Sequence, residues 1–198
     1  MNNKYFFFCL IISFSTYAQQ ITSKPIEKEE LKNFIDNKAK VLKALKFNDK
    51  NGVNFFTITL KEERKYDLVS RTLLVQHRIE KNKGDYALLR QVVDYEKECP
   101  FDNELDLIDK SLIISDLDKN NLAEISFMYK IGCRSDVSPI DIKLMVIENG
   151  NKAAIRGMTS ITGINEPKVK TPDLAFKKLP KPIQEQANKI WAKFEHEF

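Results

Sequence analysis

Two histidines, three cysteines and six glycines in 198 residues leave several common chemistries short of parts. His77 and His196 are far apart in the chain, and no His-Glu-x-x-His pairing is present to hold zinc on a helix face. No glycine-rich loop is laid out to cradle a phosphate, and no Gly-x-Ser-x-Gly elbow presents a nucleophile. No Cys-x-x-Cys pair offers redox chemistry. The formal charge of +4 is mild and its charges are interleaved, without the aromatic-punctuated basic stripe of a nucleic-acid binder. Its local excess, Lys168, Lys170, Lys177, Lys178 and Lys181, reads as a solvated connector. An apolar run of the ~20 residues needed to span a bilayer is also missing.

What the start of the chain does contain is an address. Met1–Lys4 is basic, Tyr5–Phe14 is apolar, and Thr16-Tyr17-Ala18 places small residues before Gln19. This three-part layout is that of a secretory signal peptide over residues 1–18, cut between Ala18 and Gln19. It predicts a periplasmic, secreted or surface-exposed mature protein that is not an integral membrane protein. Residues 19–198 suit one domain, large enough to bury about 70% of its unfolded surface. Cys9 falls inside the apolar run, so Cys99 and Cys133 remain and are expected to form a disulfide in an oxidising compartment.

The patterning is largely that of strands. Glu27–Asn37 reads as a short helix, with Leu31, Phe34 and Ile35 on one face. Val41–Phe47 and Val53–Leu60 flank Asn48-Asp49-Lys50-Asn51-Gly52 as a hairpin, and alternating Leu73–Ile79 and Ala87–Tyr95 follow as two more strands. His77 lies on the apolar face of its strand and is expected in the core. Leu112–Ser115 enters an acidic loop that Ile125–Ile131 leaves, and Asn149-Gly150 joins Ile140–Glu148 to Lys152–Arg156. A C-terminal helix over about 180–198 begins near Pro182, with Ile183, Ala187, Ile190, Trp191 and Phe194 along one stripe. The expected fold is mainly β (α+β): an antiparallel sheet or sandwich of about eight strands with a short N-terminal and a C-terminal helix.

Two segments carry candidate chemistry. Asp116, Asp118, Asn120 and Glu124 fall at positions 1, 3, 5 and 9 of a tight loop, with Leu122 offering a backbone carbonyl between them. Such oxygens suit Ca2+, whereas zinc would want histidine or cysteine. Position 6, usually glycine, is Asn121, the next best residue for a left-handed backbone. The competing reading is an ordinary polar turn. The second segment is Cys133-Arg134-Ser135-Asp136-Val137-Ser138-Pro139. There Arg134 is suited to clamp a carboxylate or phosphate, and Asp136 and Ser138 to meet sugar hydroxyls. The alternative is internal satisfaction, with Arg134 paired to Asp136 or Asp141.

Ile114-Ser-Asp-Leu-Asp-Lys-Asn-Asn-Leu-Ala-Glu-Ile-Ser-Phe-Met-Tyr-Lys-Ile-Gly-Cys-Arg-Ser-Asp-Val-Ser-Pro139, continued by Lys143-Leu-Met and Ala154-Ile-Arg-Gly157, resembles a family of small exported proteins of Gram-negative bacteria. That family carries the label surface polysaccharide biosynthesis protein, and it usually has glycine where this chain has Asn121. The resemblance implies an accessory or binding protein of lipopolysaccharide or capsule production, with a surface glycan or an envelope protein as partner. Two other expectations compete with it. One is a periplasmic hydrolase or transferase acting on envelope glycans through Asp136, Asp141 or Glu124. The other is a purely structural envelope protein.

Overall fold

The computed structural model describes residues 19–161, 163 and 169–197; the expected leader, 1–18, lies outside them. In chain order, β1 (Gln19–Gln20) and β2 (Ser23–Pro25) are short, and α1 (Lys28–Leu31) is one helical turn. β3 (Lys40–Asp49), β4 (Gly52–Lys65), β5 (Leu68–Asn82) and β6 (Asp85–Cys99) then run antiparallel through tight turns. With β2 they form a five-stranded sheet in the order β2-β3-β4-β5-β6.

The rest of the chain builds a second sheet. Its elements are β7 (Asp102–Asn103), β8 (Asp106–Leu107), β9 (Ile113–Asp116), β10 (Glu124–Ile131), β11 (Cys133–Arg134), β12 (Asp141–Glu148), β13 (Asn151–Met158), β14 (Ser160–Ile161) and β15 (Lys170–Pro172). The sheet order is β1-β9-β10-β12-β13-β15, with β8 also on β10, while β7 pairs with β11. The chain ends in α2 (Leu174–Lys177), α3 (Lys181–Phe194) and β16 (His196–Glu197). No helix among the described residues is long and apolar enough to cross a membrane.

The sheets stack face to face. Phe47, Phe56 and Ile58 of the first meet Ile125, Phe127 and Tyr129 of the second in one apolar cluster. The far face of the second sheet carries Met128, Leu144 and Ile155, and α3 covers it with Ile183, Ala187 and Trp191. The second sheet is therefore covered on both faces, by the first sheet on one and by α3 on the other. β10 and β12 are consequently buried on both sides, which is why they read as nearly continuous apolar runs. Trp191 is core packing, and its indole N–H donates to Glu195 at 2.5 Å.

The N-terminal helix is shorter than the pattern over Glu27–Asn37 predicts. Glu27 supplies no side-chain cap, and the chain leaves the helix at Leu31. Phe34 then packs its ring 5.0 Å from Phe55 and 4.7 Å from Tyr86, on the outer face of the first sheet. Aromatic burial outweighs the weak propensity of a short, uncapped helix. At the other end, α3 stops at Phe194, short of the expected terminus.

Cross-ties lock the layers. Tyr129 Oη and Lys143 Nζ (3.0 Å) both donate to Asp94 on β6, and Arg90 Nε donates to the Gly150 carbonyl. Cys99 and Cys133 are bonded, with Cα atoms 5.6 Å apart, so the end of β6 is joined to the exit of β10. At Gly157 the carbonyl of Val169 approaches so closely that a Cβ would lie 1.9 Å from it, and only hydrogen fits.

Candidate metal centre

β9 and β10 pair with Ser115 opposite Glu124, and residues 117–123 close the loop between them. The loop is held by its own short side chains. Asp118 Oδ1 accepts from Asn120 N (3.2 Å), Asn120 Oδ1 from Leu122 N (2.7 Å), and Asp116 Oδ2 from Asn121 N (3.2 Å). Lys119 and Asn121 take positive φ of 63° and 65°, a conformation Asn tolerates better than most residues. This side-chain-to-backbone bonding is the reason Asp and Asn recur here.

The geometry brings three of the five expected ligands together. Asp116, Asp118 and Glu124 each place a carboxylate oxygen within 4.8 Å of the others. Asp116 is 5% exposed, and its Oδ1 has no hydrogen-bond partner among the described residues. Glu124 is fully buried. Burial pushes its carboxyl up to about 7; donation from Leu117 N (3.0 Å) and Ser115 Oγ (3.1 Å) opposes that, and the Asp118 charge adds to it. Converging carboxylates in a dry site are costly unless a cation or protons neutralise them. The triad can hold a metal ion. Beside the triad, Asn120 Oδ1 accepts from Leu122 N, and its amide N–H group donates to Asp118 and Glu148. Leu122 offers its N–H to Asn120, inside the turn.

Sequence reasoning missed the contribution of the other sheet. The β3–β4 turn docks onto the acidic loop: Asp49 Oδ2 accepts from Ala123 N (3.1 Å), and Lys50 N donates to the Asn121 carbonyl (2.7 Å). Asp49 Oδ1 accepts from Asn54 Nδ2 (2.8 Å), and Asn54 Oδ1 meets His77 Nε2 (2.9 Å). His77 is in the core as expected, and burial pulls its pKa down to about 4 against the attraction of Asp49. The turn chemistry of Asn48–Gly52 was readable; its use against a loop more than seventy residues away was not.

The second candidate segment is arranged differently. Arg134 directs its guanidinium at Glu104, with Nε–Oε1 at 2.6 Å and Nη2–Oε2 at 2.9 Å, and Nη1 donates to the Ser138 carbonyl. The carboxylate it grips on two prongs is Glu104, from the β7–β8 connection. A two-pronged pair of this kind fills the fork that a ligand carboxylate would need. Asp136 is exposed and Ser138 half-buried, and neither lies in the acidic triad. No family model, curated protein or solved structure matches this chain.

Proposed function

We propose that the chain is an exported, calcium-stabilised binding or accessory module, acting in the production or display of a surface polysaccharide. The observation that carries the calcium part is Asp116, a buried carboxylate with one oxygen unsatisfied among the described residues, beside two further carboxylates. Oxygen-only donors favour a hard cation, and calcium accepts the irregular geometry of such a loop more readily than magnesium does. Asp116, Asp118 and Glu124 hold the ion in this reading.

Export is supported by the layout of Met1–Gln19, and the glycan setting by the resemblance over Ile114–Pro139. A disulfide joining Cys99 to Cys133 accords with an oxidising compartment. The engaged state of Arg134 moves the weight of ligand recognition away from the Cys133–Ser138 segment.

Deleting the gene in the producing bacterium and restoring it tests the biological part. A changed surface-glycan profile rescued by the intact gene, but not by an Asp116→Asn Glu124→Gln form, is the expected result. An unchanged profile would sink the glycan reading.

A further inference from the structure

An open pocket of about 460 Å3 lies between the β3–β4 turn and the acidic loop, lined by Ile21, Asn48, Asp49, Lys50, Asp116 and Asn121. Its volume is within the range of small-molecule sites. Asp116 is shared between this pocket and the carboxylate triad. The side chains of Asn48, Lys50 and Asn121 are exposed and take no hydrogen-bond partner among the described residues. The pocket therefore presents amide donors and acceptors, an ammonium and one apolar side chain, with Asp116, the triad member it shares, in its wall.

Calcium takes six to eight oxygens. The triad is the source of at most six, and Asp116 Oδ2, both oxygens of Asp118 and both of Glu124 already accept protein hydrogen bonds. A bound ion in this setting has coordination positions to fill from outside the protein, and the pocket is where an outside group meets Asp116. The charge of the walls selects among such groups. Asp116, Asp118, Glu124 and Asp49 offset a divalent ion plus Lys50 and the exposed Lys119 of the same loop, so little net charge is left to attract phosphates or uronates. Neutral vicinal hydroxyls both ligate calcium and hydrogen-bond to amides and carboxylates.

We infer that this pocket is a calcium-dependent sugar site taking a neutral hexose residue, with ring hydroxyls completing the ion's shell and Asn48, Lys50 and Asn121 fixing its orientation. The inference rests on the calcium reading above and goes beyond it by naming the site and ligand class.

The test uses the mature chain, 19–198, with saturation-transfer NMR and thermal melting. Probes are calcium alone, then glucose, galactose, mannose and rhamnose, with glucuronate as the anionic control. Expected is saturable binding of at least one neutral sugar, with a dissociation constant on the order of millimolar, abolished by chelator. Asn48→Ala and Lys50→Met are expected to weaken it about tenfold or more while the calcium-induced rise in melting temperature stays. Both substitutions lie outside the metal-binding triad. The inference is overturned if calcium raises the melting temperature but no neutral sugar saturates. It is also overturned if binding persists in chelator, if neither variant weakens it, or if glucuronate binds equally well. Absence of any calcium response would overturn the calcium reading and this inference together.

Discussion

The acidic loop, Asp116–Glu124, and the arginine segment, Cys133–Ser138, are similarly dense in charge, yet they end in opposite states. In the arginine segment the strongest group meets a matching carboxylate, Glu104, and the backbone is fastened by a disulfide. In the acidic loop the carboxylates meet one another, one oxygen is left without a donor among the described residues, and Glu124 is pushed to about 7. The contrast teaches that charge density along the chain does not mark a site. What marks it is a mismatch between buried polar atoms and the partners the fold provides.

Four experiments break or sharpen this contrast. Replacing both Cys99 and Cys133 by serine should cost about 4 kcal/mol in chemical denaturation, because a loop of about 35 residues is released in the unfolded chain. It should leave the calcium response of the acidic loop in place, which would confirm that the two regions are stabilised independently.

The second experiment probes the buried chain behind the acidic loop. His77 has a folded pKa near 4, below its ordinary value of 6.5. The unfolded chain therefore takes up the proton first, and the stability due to neutral His77 is full above pH 6.5 and lost as pH falls toward 4. Raised Glu124 has the opposite sign in chelator: its cost grows as pH climbs from its ordinary 4.5 to about 7. The difference between wild type and His77→Gln isolates the histidine, and it should change by up to about 3 kcal/mol across that window. A flat difference would show that the core around Asn54 and Asp49 admits the protonated ring.

Third, saturating calcium at about a hundred times its dissociation constant should stabilise the protein by about 2.7 kcal/mol over chelator. Glu124→Gln should erase that increment while raising the melting temperature in chelator, since a neutral amide removes the buried charge. A calcium increment that survives Glu124→Gln would place the ion elsewhere.

The smallest effects lie in the arginine segment. Arg134→Ala strands Glu104 and should cost about 2 kcal/mol, whereas exposed Asp136→Ala should stay within about 0.5 kcal/mol. Denaturant midpoints for the two variants check both values, and a costly Asp136→Ala would assign that side chain an unrecognised partner.

Much of the architecture was legible locally. Alternation located β3 to β6, Asn149-Gly150 located the β12–β13 turn, and the apolar stripe from Ile183 to Trp191 located α3. The cysteine pairing followed from the expectation that Cys9 belongs to a leader, which leaves Cys99 and Cys133 to bond. The N-terminal helix was overread because Phe34 is claimed by Phe55 and Tyr86, a contact that periodicity does not encode. Asp116, Asp118 and Glu124 were readable from spacing, while the bond from the Asn120 amide to Glu148 was not, since Glu148 lies 28 residues on, at the end of β12.

Sequence by itself determined the strand-rich pattern, the hairpin turns, the cysteine pair and the three carboxylates, because each depends on residues a few positions apart or on a small count. Only the tertiary structure decided that Arg134 answers to Glu104, that Asp49 crosses from the other sheet to Ala123, and that one oxygen of Asp116 goes without a donor among the described residues. The physical reason is that a buried polar group is satisfied or stranded by whatever the packing brings against it. In a sandwich, those neighbours come from strands far apart in the chain.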